Sequence, residues 1–190
     1  MSGFTFELHS DKVPRAARKK GVKDVFSGTA GPYGDVVVTL SVAPSQAVLT
    51  APGLPEASLS HHDDLRVGLV PLDEQTSLSV GGATAILSQN RRALRNENRG
   101  MEIRLGDRHY TYLIPPEGEG ELRDHERGPL VRHHTDLETR DTVIVVQPAA
   151  DAADLALALI LQAADLSRLT FLGTVVIGAW SLWNSGKGNM

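Results

Sequence analysis

The sequence predicts an α+β domain that is mostly β: an antiparallel sheet or barrel of about eight or more short strands with an apolar C-terminal helix. Three observations predict this class. β-Branched runs alternate with proline and glycine turn formers over residues 36–87. Apolar residues fall at alternate positions in parts of 91–146. From Leu155 to Ala164 only Gln162 is polar, which is typical of a helix buried on all sides.

The chain divides into three segments by composition. Residues 1–35 open with the alternating run Phe4 to Leu8, which predicts a strand, and continue as a basic arm that ends in a glycine-rich turn. Residues 36–168 form the predicted β-rich domain with its core helix, and residues 169–190 are an apolar C-terminal extension. With 190 residues, 41% of them hydrophobic, the chain can bury one sizeable core.

The strands of the second segment are predicted from runs between turn formers. In the first half, these runs begin at Asp35, Gln46, Leu65 and Thr76. In the second half, Gly106-Asp107 separates two alternating runs within 100–114, which predicts a hairpin with one face buried. Residues 120–134 and 142–147 continue the same pattern.

The apolar C-terminus consists of two pieces. Asp151 and Asp154 suit the free amides of a first helical turn, so the helix should begin near 149–152. Asp165 and Arg168 interrupt the apolar run after about ten residues, well short of the roughly twenty that cross a bilayer. The first piece is therefore predicted to be a buried core helix.

The second piece, Leu169 to Trp183, carries no charge and fits a strand pair, a second buried helix or a short tail anchor. It is the predicted contact with a protein partner, a second copy of the chain or a membrane. The residues expected to make that contact are Phe171, Val175, Ile177, Trp180 and Trp183.

A β-rich chain with an almost wholly apolar helix near its end resembles the tubby-like superfamily, which includes the LURP-one-related proteins and the phospholipid scramblases. The matching stretch runs from about Arg99 to Asp165. Residues 100–114 resemble a strand pair of that fold, 120–133 a hairpin, and 142–165 the final strand that leads into the central helix. The resemblance implies a barrel wrapped around that helix and a non-enzymatic scaffold that docks on membranes or partners. It transfers no lipid-binding residue to this chain.

Two basic segments are candidate sites for an anionic partner, because arginine forks and lysines bind phosphate. The alternative is a solvated arm and a surface loop. The candidate residues are Arg15, Arg18, Lys19, Lys20, Lys23, Arg91, Arg92, Arg95 and Arg99.

Two histidine pairs raise the possibility of a metal-dependent hydrolase: His61-His62 before Asp63-Asp64, and His133-His134 before Asp136 and Glu138. Neighbours on a strand point to opposite faces, and both pairs are predicted in turns. We therefore expect exposed polar loops, and no metal or cofactor. His109 is expected in aromatic strand packing, and His125 at a hairpin tip.

Composition and motifs restrict the function further. A net charge of −4 argues against a nucleic-acid-binding surface, and the absence of cysteine excludes thiolate chemistry. The N-terminus lacks the apolar core of a secretory signal, so a cytoplasmic, possibly membrane-associated protein is expected. Lacking a known catalytic motif, the sequence favours a non-enzymatic binding or scaffold module. The alternative is a structural subunit or tail-anchored protein acting through residues 169–183.

Overall fold

A computed structural model of the chain describes residues 2–42, 44–64, 69–89, 100–113, 119–136, 139 and 141–165. Strands dominate these residues, and thirteen of them form one sheet. Two helices accompany the strands: α1 (Arg15–Lys19) and α2 (Ala152–Leu161). A 3-10 turn lies at Gly31–Tyr33.

The strands of the first half are β1 (Phe4–Asp11), β2 (Val22–Thr29), β3 (Asp35–Val42), β4 (Ser45–Thr50), β5 (Ala57–His61), β6 (Val70–Pro71), β7 (Ser77–Val80) and β8 (Ala83–Thr84). Those of the second half are β9 (Ile86–Gln89), β10 (Met101–Leu105), β11 (Arg108–Leu113), β12 (Gly120–Asp124), β13 (Gly128–Thr135), β14 (Thr142–Val146) and β15 (Ala164–Asp165).

The sheet is antiparallel and nearly closed. Its order is β8-β7-β5-β4-β3-β2-β1-β14-β13-β12-β11-β10-β9. Each half is a meander, and β1 joins the halves by pairing with β14, with Phe4 opposite Val146. The two edge strands, β8 and β9, are consecutive in the chain and only Ala85 separates them. The predicted mostly β class and antiparallel sheet are confirmed.

Helix α2 lies against strands of both halves, namely β4, β5, β7 and β13. Every residue from Leu155 to Leu161 is at most 2% exposed. Burial on all faces explains why the sequence carries no polar stripe here. The helix begins with a capping box, in which the Asp151 carboxylate accepts from the Ala153 and Asp154 amides and the Asp154 carboxylate accepts from the Asp151 amide.

The structure departs from the predicted boundaries of this helix and its surroundings. The helix ends at Leu161, whereas the apolar run predicted helix to Ala164. Ala164–Asp165 instead pairs in parallel with Val70–Pro71. Residues 166–190 lie outside the described residues, so the prediction that an apolar helix lies at the C-terminus is shown only as far as α2.

The β10–β11 hairpin confirms the predicted period of two. Met101 lies opposite Tyr112 and Ile103 opposite Tyr110, and all four side chains are fully buried. Gly106 turns the chain with φ of +63°, a conformation that favours glycine. The intervening residues of both strands, including Glu102, therefore face outward.

Candidate functional site

The basic arm folds as a short helix followed by a strand. Arg15, Arg18 and Lys19 lie on α1, Lys20 caps its C-terminus, and Lys23 lies on β2. The segment that contains Lys23 was not predicted as a strand; it becomes one because β1 and β3 pair with its two edges. The other predicted anion-binding residues, Arg91, Arg92, Arg95 and Arg99, lie outside the described residues.

Next to α1 lies an open pocket of about 440 Å³. We call it the basic pocket, because Lys12, Arg18 and Lys23 line it and outnumber its two acidic residues, Asp11 and Asp24. The complete lining is Ser10, Asp11, Lys12, Val13, Arg18, Gly21, Val22, Lys23, Asp24 and Val42.

Two hydrogen bonds shape the basic pocket. Arg18 Nε donates to the Val13 carbonyl at 3.0 Å, which holds the guanidinium against the wall and uses one of its five N–H donors. Ser27 Oγ donates to Asp11 Oδ2 at 2.5 Å, so this carboxylate is already engaged with a neighbouring strand. The pocket thus offers a guanidinium group that is held in place at a surface open to solvent.

His61 is buried, contrary to the predicted exposed loop. Its side chain is 1% exposed and lies at the end of β5. Nδ1 accepts from the Asp63 amide at 2.9 Å, so Nε2 carries the proton and faces Asp73 Oδ1 at 3.2 Å. Both ring nitrogens are used within the fold. Although His61, His62 and Asp63 lie close enough to share an ion, these bonds favour a structural role.

His133 and His134 lie on strand β13, not in the predicted turn. The turn is displaced because β13 pairs with β14 as far as Thr135. Consecutive residues point to opposite faces, so His134 is exposed while His133 Nε2 bonds Tyr112 Oη. Burial, with a smaller contribution from His134, lowers the pKa of His133 to about 4. The two rings cannot bind one metal ion. Glu138 lies outside the described residues.

Three side chains that are distant from one another in the sequence lie close together on the outer face of the sheet. Glu102 on β10, His109 on β11 and His125 in the β12–β13 turn place one possible ligand atom each within 4.8 Å of the others. We call them the His–Glu cluster. His109 packs against another aromatic ring, as predicted, but that ring is His125, with ring centroids 3.7 Å apart. His125 does lie at the predicted hairpin tip.

The register explains how the cluster forms. Glu102 lies opposite Thr111, so His109 is diagonal to it on the same face. Beyond the end of β12, the His125 amide donates to the His109 carbonyl at 3.0 Å and sets the two rings side by side. The outward alternation of β10 and β11 was visible in the sequence, but the third strand's register was not.

On the inner face of the same strands, a second polar group anchors α2. Asp154 is fully buried and its carboxylate accepts from Tyr110 Oη at 2.8 Å, from Arg108 at 3.1 Å and from Arg127 at 2.7 Å. Arg108 also pairs with Asp151 at 2.8 Å. We call these five residues the helix-cap network. No sequence motif indicated it.

The helix-cap network changes the protonation of its members. Burial alone would raise the pKa of Asp151, but hydrogen bonds from Arg108 and from the Asp154 and Ala153 amides outweigh it and lower that pKa to about 2. Burial raises the pKa of Tyr110 to about 12. At neutral pH Asp151 is therefore charged and can pair with Arg108, while Tyr110 keeps the hydroxyl proton that it donates to Asp154.

The predicted contact residues Phe171, Val175, Ile177, Trp180 and Trp183 lie outside the described residues. Among the helices that the structure describes, none has the length and apolar character needed to cross a bilayer. Comparison with family models, with curated proteins and with solved structures gives no match.

Proposed function

We propose that the protein is a non-enzymatic binding module that takes a phosphate group of an anionic partner, such as a lipid headgroup, in the basic pocket. The observation that carries this proposal is the convergence of Lys12, Arg18 and Lys23 on one open pocket. Guanidinium and ammonium groups are the side chains that proteins use to bind phosphate.

The charge around the basic pocket supports a negatively charged surface as the partner. Exposed Arg15, Lys19 and Lys20 on and beside α1 extend the positive patch beyond the pocket. This patch is local, since the whole chain carries a net charge of −4. A basic patch on an acidic protein orients the molecule toward an anionic surface, because the rest of its surface is repelled.

The apolar interior of the sheet leaves the outer surface as the place where a ligand can bind. Helix α2 is buried against strands of both halves, and its apolar side chains belong to the same core as theirs. Binding must then take place on the outside of the sheet, where the basic pocket lies.

Vesicle flotation tests the proposal with the full chain. We expect flotation with vesicles that contain phosphatidylserine, little with pure phosphatidylcholine, and a loss as salt rises. Arg18→Gln with Lys23→Gln should weaken binding about thirtyfold, since each basic group near the membrane contributes about 1 kcal/mol. Arg104→Gln, an exposed arginine of β10, is the matched control.

Inorganic phosphate distinguishes a lipid headgroup from a free phosphate ligand. Competition by phosphate at constant ionic strength, with weak vesicle binding, would assign the basic pocket to a small anion. The proposal would be contradicted if vesicle binding did not depend on lipid charge, or if the double variant bound vesicles as well as the unmodified chain does.

A further inference from the structure

We propose that the His–Glu cluster is a binding site for a divalent metal ion of the zinc type, with Glu102, His109 and His125 as its three protein ligands. Two imidazoles and one carboxylate are a ligand set that Zn²⁺ uses where a fourth position stays open to water. The site is separate from the basic pocket and does not depend on the function proposed above.

The distances between the ligand atoms fit a common metal ion. Four-coordinate zinc with bonds of about 2.0–2.1 Å places its ligand atoms about 3.3 Å apart. Glu102 Oε2 is 2.9 Å from His109 Nε2 and 3.2 Å from His125 Nε2. Both imidazole nitrogens therefore already lie at the spacing of a first coordination shell from the carboxylate oxygen, and all three groups have ligand atoms within 4.8 Å of one another.

The directions of the groups favour a shared ion over direct bonds between them. Glu102 Oε2 is buried, yet no hydrogen bond reaches it from the described residues, although two imidazole nitrogens lie within ion-pair distance. A buried carboxylate oxygen without a hydrogen bond is costly. A cation held between the three atoms would satisfy it.

A neighbouring hydroxyl orients the carboxylate. Thr111 Oγ1 donates to Glu102 Oε1 at 3.0 Å; it also bonds His125 Nε2 at 2.9 Å, a contact that a bound ion would replace. Partners of this kind fix the position of ligating groups in metal sites. The backbone bond between His125 and His109 holds the turn in place, so the site rests on β10, β11 and the β12–β13 turn.

The exposure of the cluster leaves room for exchange with solvent. The side chains of Glu102, His109 and His125 are 29%, 36% and 44% exposed, in that order. A bound ion would have one side open to water or to a small ligand. His61 and His133 are less accessible to an ion from solvent, because their rings are hydrogen-bonded to Asp73 and Tyr112 within the fold.

Titration of the metal-free full chain with Zn²⁺, followed by calorimetry, tests the site. We expect one ion per chain. Glu102→Gln and His125→Gln should each weaken binding at least about a hundredfold, and Thr111→Val about tenfold, since removal of an orienting partner costs 10- to 100-fold. His134→Gln, an exposed histidine of β13 outside the cluster, should bind as the unmodified chain does.

Binding of Co²⁺ provides a second readout. Its visible absorption reports on coordination by the three ligands and would not appear if these residues served only to stabilise the fold. The bound ion should show the intensified visible absorption of tetrahedral cobalt, and Glu102→Gln should abolish it. Circular dichroism of each variant establishes that it is folded. Absence of Zn²⁺ uptake by the unmodified chain, or unchanged affinity in folded Glu102→Gln and His125→Gln variants, would overturn the proposal.

Discussion

The helix-cap network and the His–Glu cluster lie on opposite faces of the same strands, and they use acidic and basic side chains in opposite ways. On the inner face, the Asp154 carboxylate is fully buried and receives hydrogen bonds from Tyr110, Arg108 and Arg127. On the outer face, the cluster is partly exposed and the buried Glu102 Oε2 receives none from the described residues. The inner carboxylate is fully hydrogen-bonded, as a structural anchor requires, whereas the outer one keeps a buried oxygen that a ligand could satisfy.

The largest effect should come from the helix-cap network. Asp154→Ala removes the acceptor that the buried Tyr110 hydroxyl and the partly exposed Arg108 and Arg127 share, and it removes half of the capping box of α2, so we expect the free energy of unfolding to fall by about 3–5 kcal/mol. Urea denaturation followed by circular dichroism measures it. Glu126→Gln, an exposed carboxylate of the β12–β13 turn, is the control. A loss below about 1 kcal/mol would show that the network does not anchor α2.

An intermediate effect on stability should come from His133, since only one of its two ring nitrogens has a hydrogen-bond partner among the described residues. Its ring is bonded to Tyr112 on one nitrogen, and Nδ1 is buried without a hydrogen bond among the described residues. Its pKa of about 4 in the folded protein is below the ordinary value of 6.5, so the unfolded chain binds the proton more tightly. The stabilisation is complete above pH 6.5 and declines as the pH falls toward 4.

We expect this decline to amount to roughly 1–3 kcal/mol. Denaturation curves recorded between pH 7 and pH 4 should lose most of that slope in His133→Gln. The exposed neighbour provides the matched variant, His134→Gln, which should retain the slope. Equal slopes in the two variants would assign the pH dependence to other groups.

The smallest effect on stability should come from the His–Glu cluster. In the presence of a chelator, Glu102→Gln should change the free energy of unfolding by no more than about 0.5 kcal/mol, since the group is partly exposed and anchors no other element. Zn²⁺ at about a hundred times its dissociation constant should stabilise the unmodified chain by about 2.7 kcal/mol and leave the variant unchanged. A loss as large as that of Asp154→Ala would make the cluster a second anchor.

Local signals explain what could be predicted from the sequence. The period of two in 101–113 and the Gly106-Asp107 turn define the β10–β11 hairpin, because alternation and turn conformation depend on a few neighbouring residues. Asp151 and Asp154 likewise indicated the start of α2, since a capping box lies within one turn. The β-rich class follows from the repetition of such signals.

The predictions that failed depended on which strands are neighbours. His61 and His133 were placed in exposed loops, but β5 and β13 extend through them; His61 is buried, and His133 bonds the buried Tyr112. Their sequence contexts are polar, and only the register with adjacent strands decides which side of a strand meets the core.

The sequence by itself determined the β-rich class, the hairpin and the absence of thiol chemistry. The tertiary structure alone decided that β1 pairs with β14, that α2 is enclosed by both halves of the sheet, and that Glu102, His109 and His125 meet. The physical reason is that side-chain alternation is a property of a single strand. A site built across three strands depends on their order and register, which long-range pairing sets.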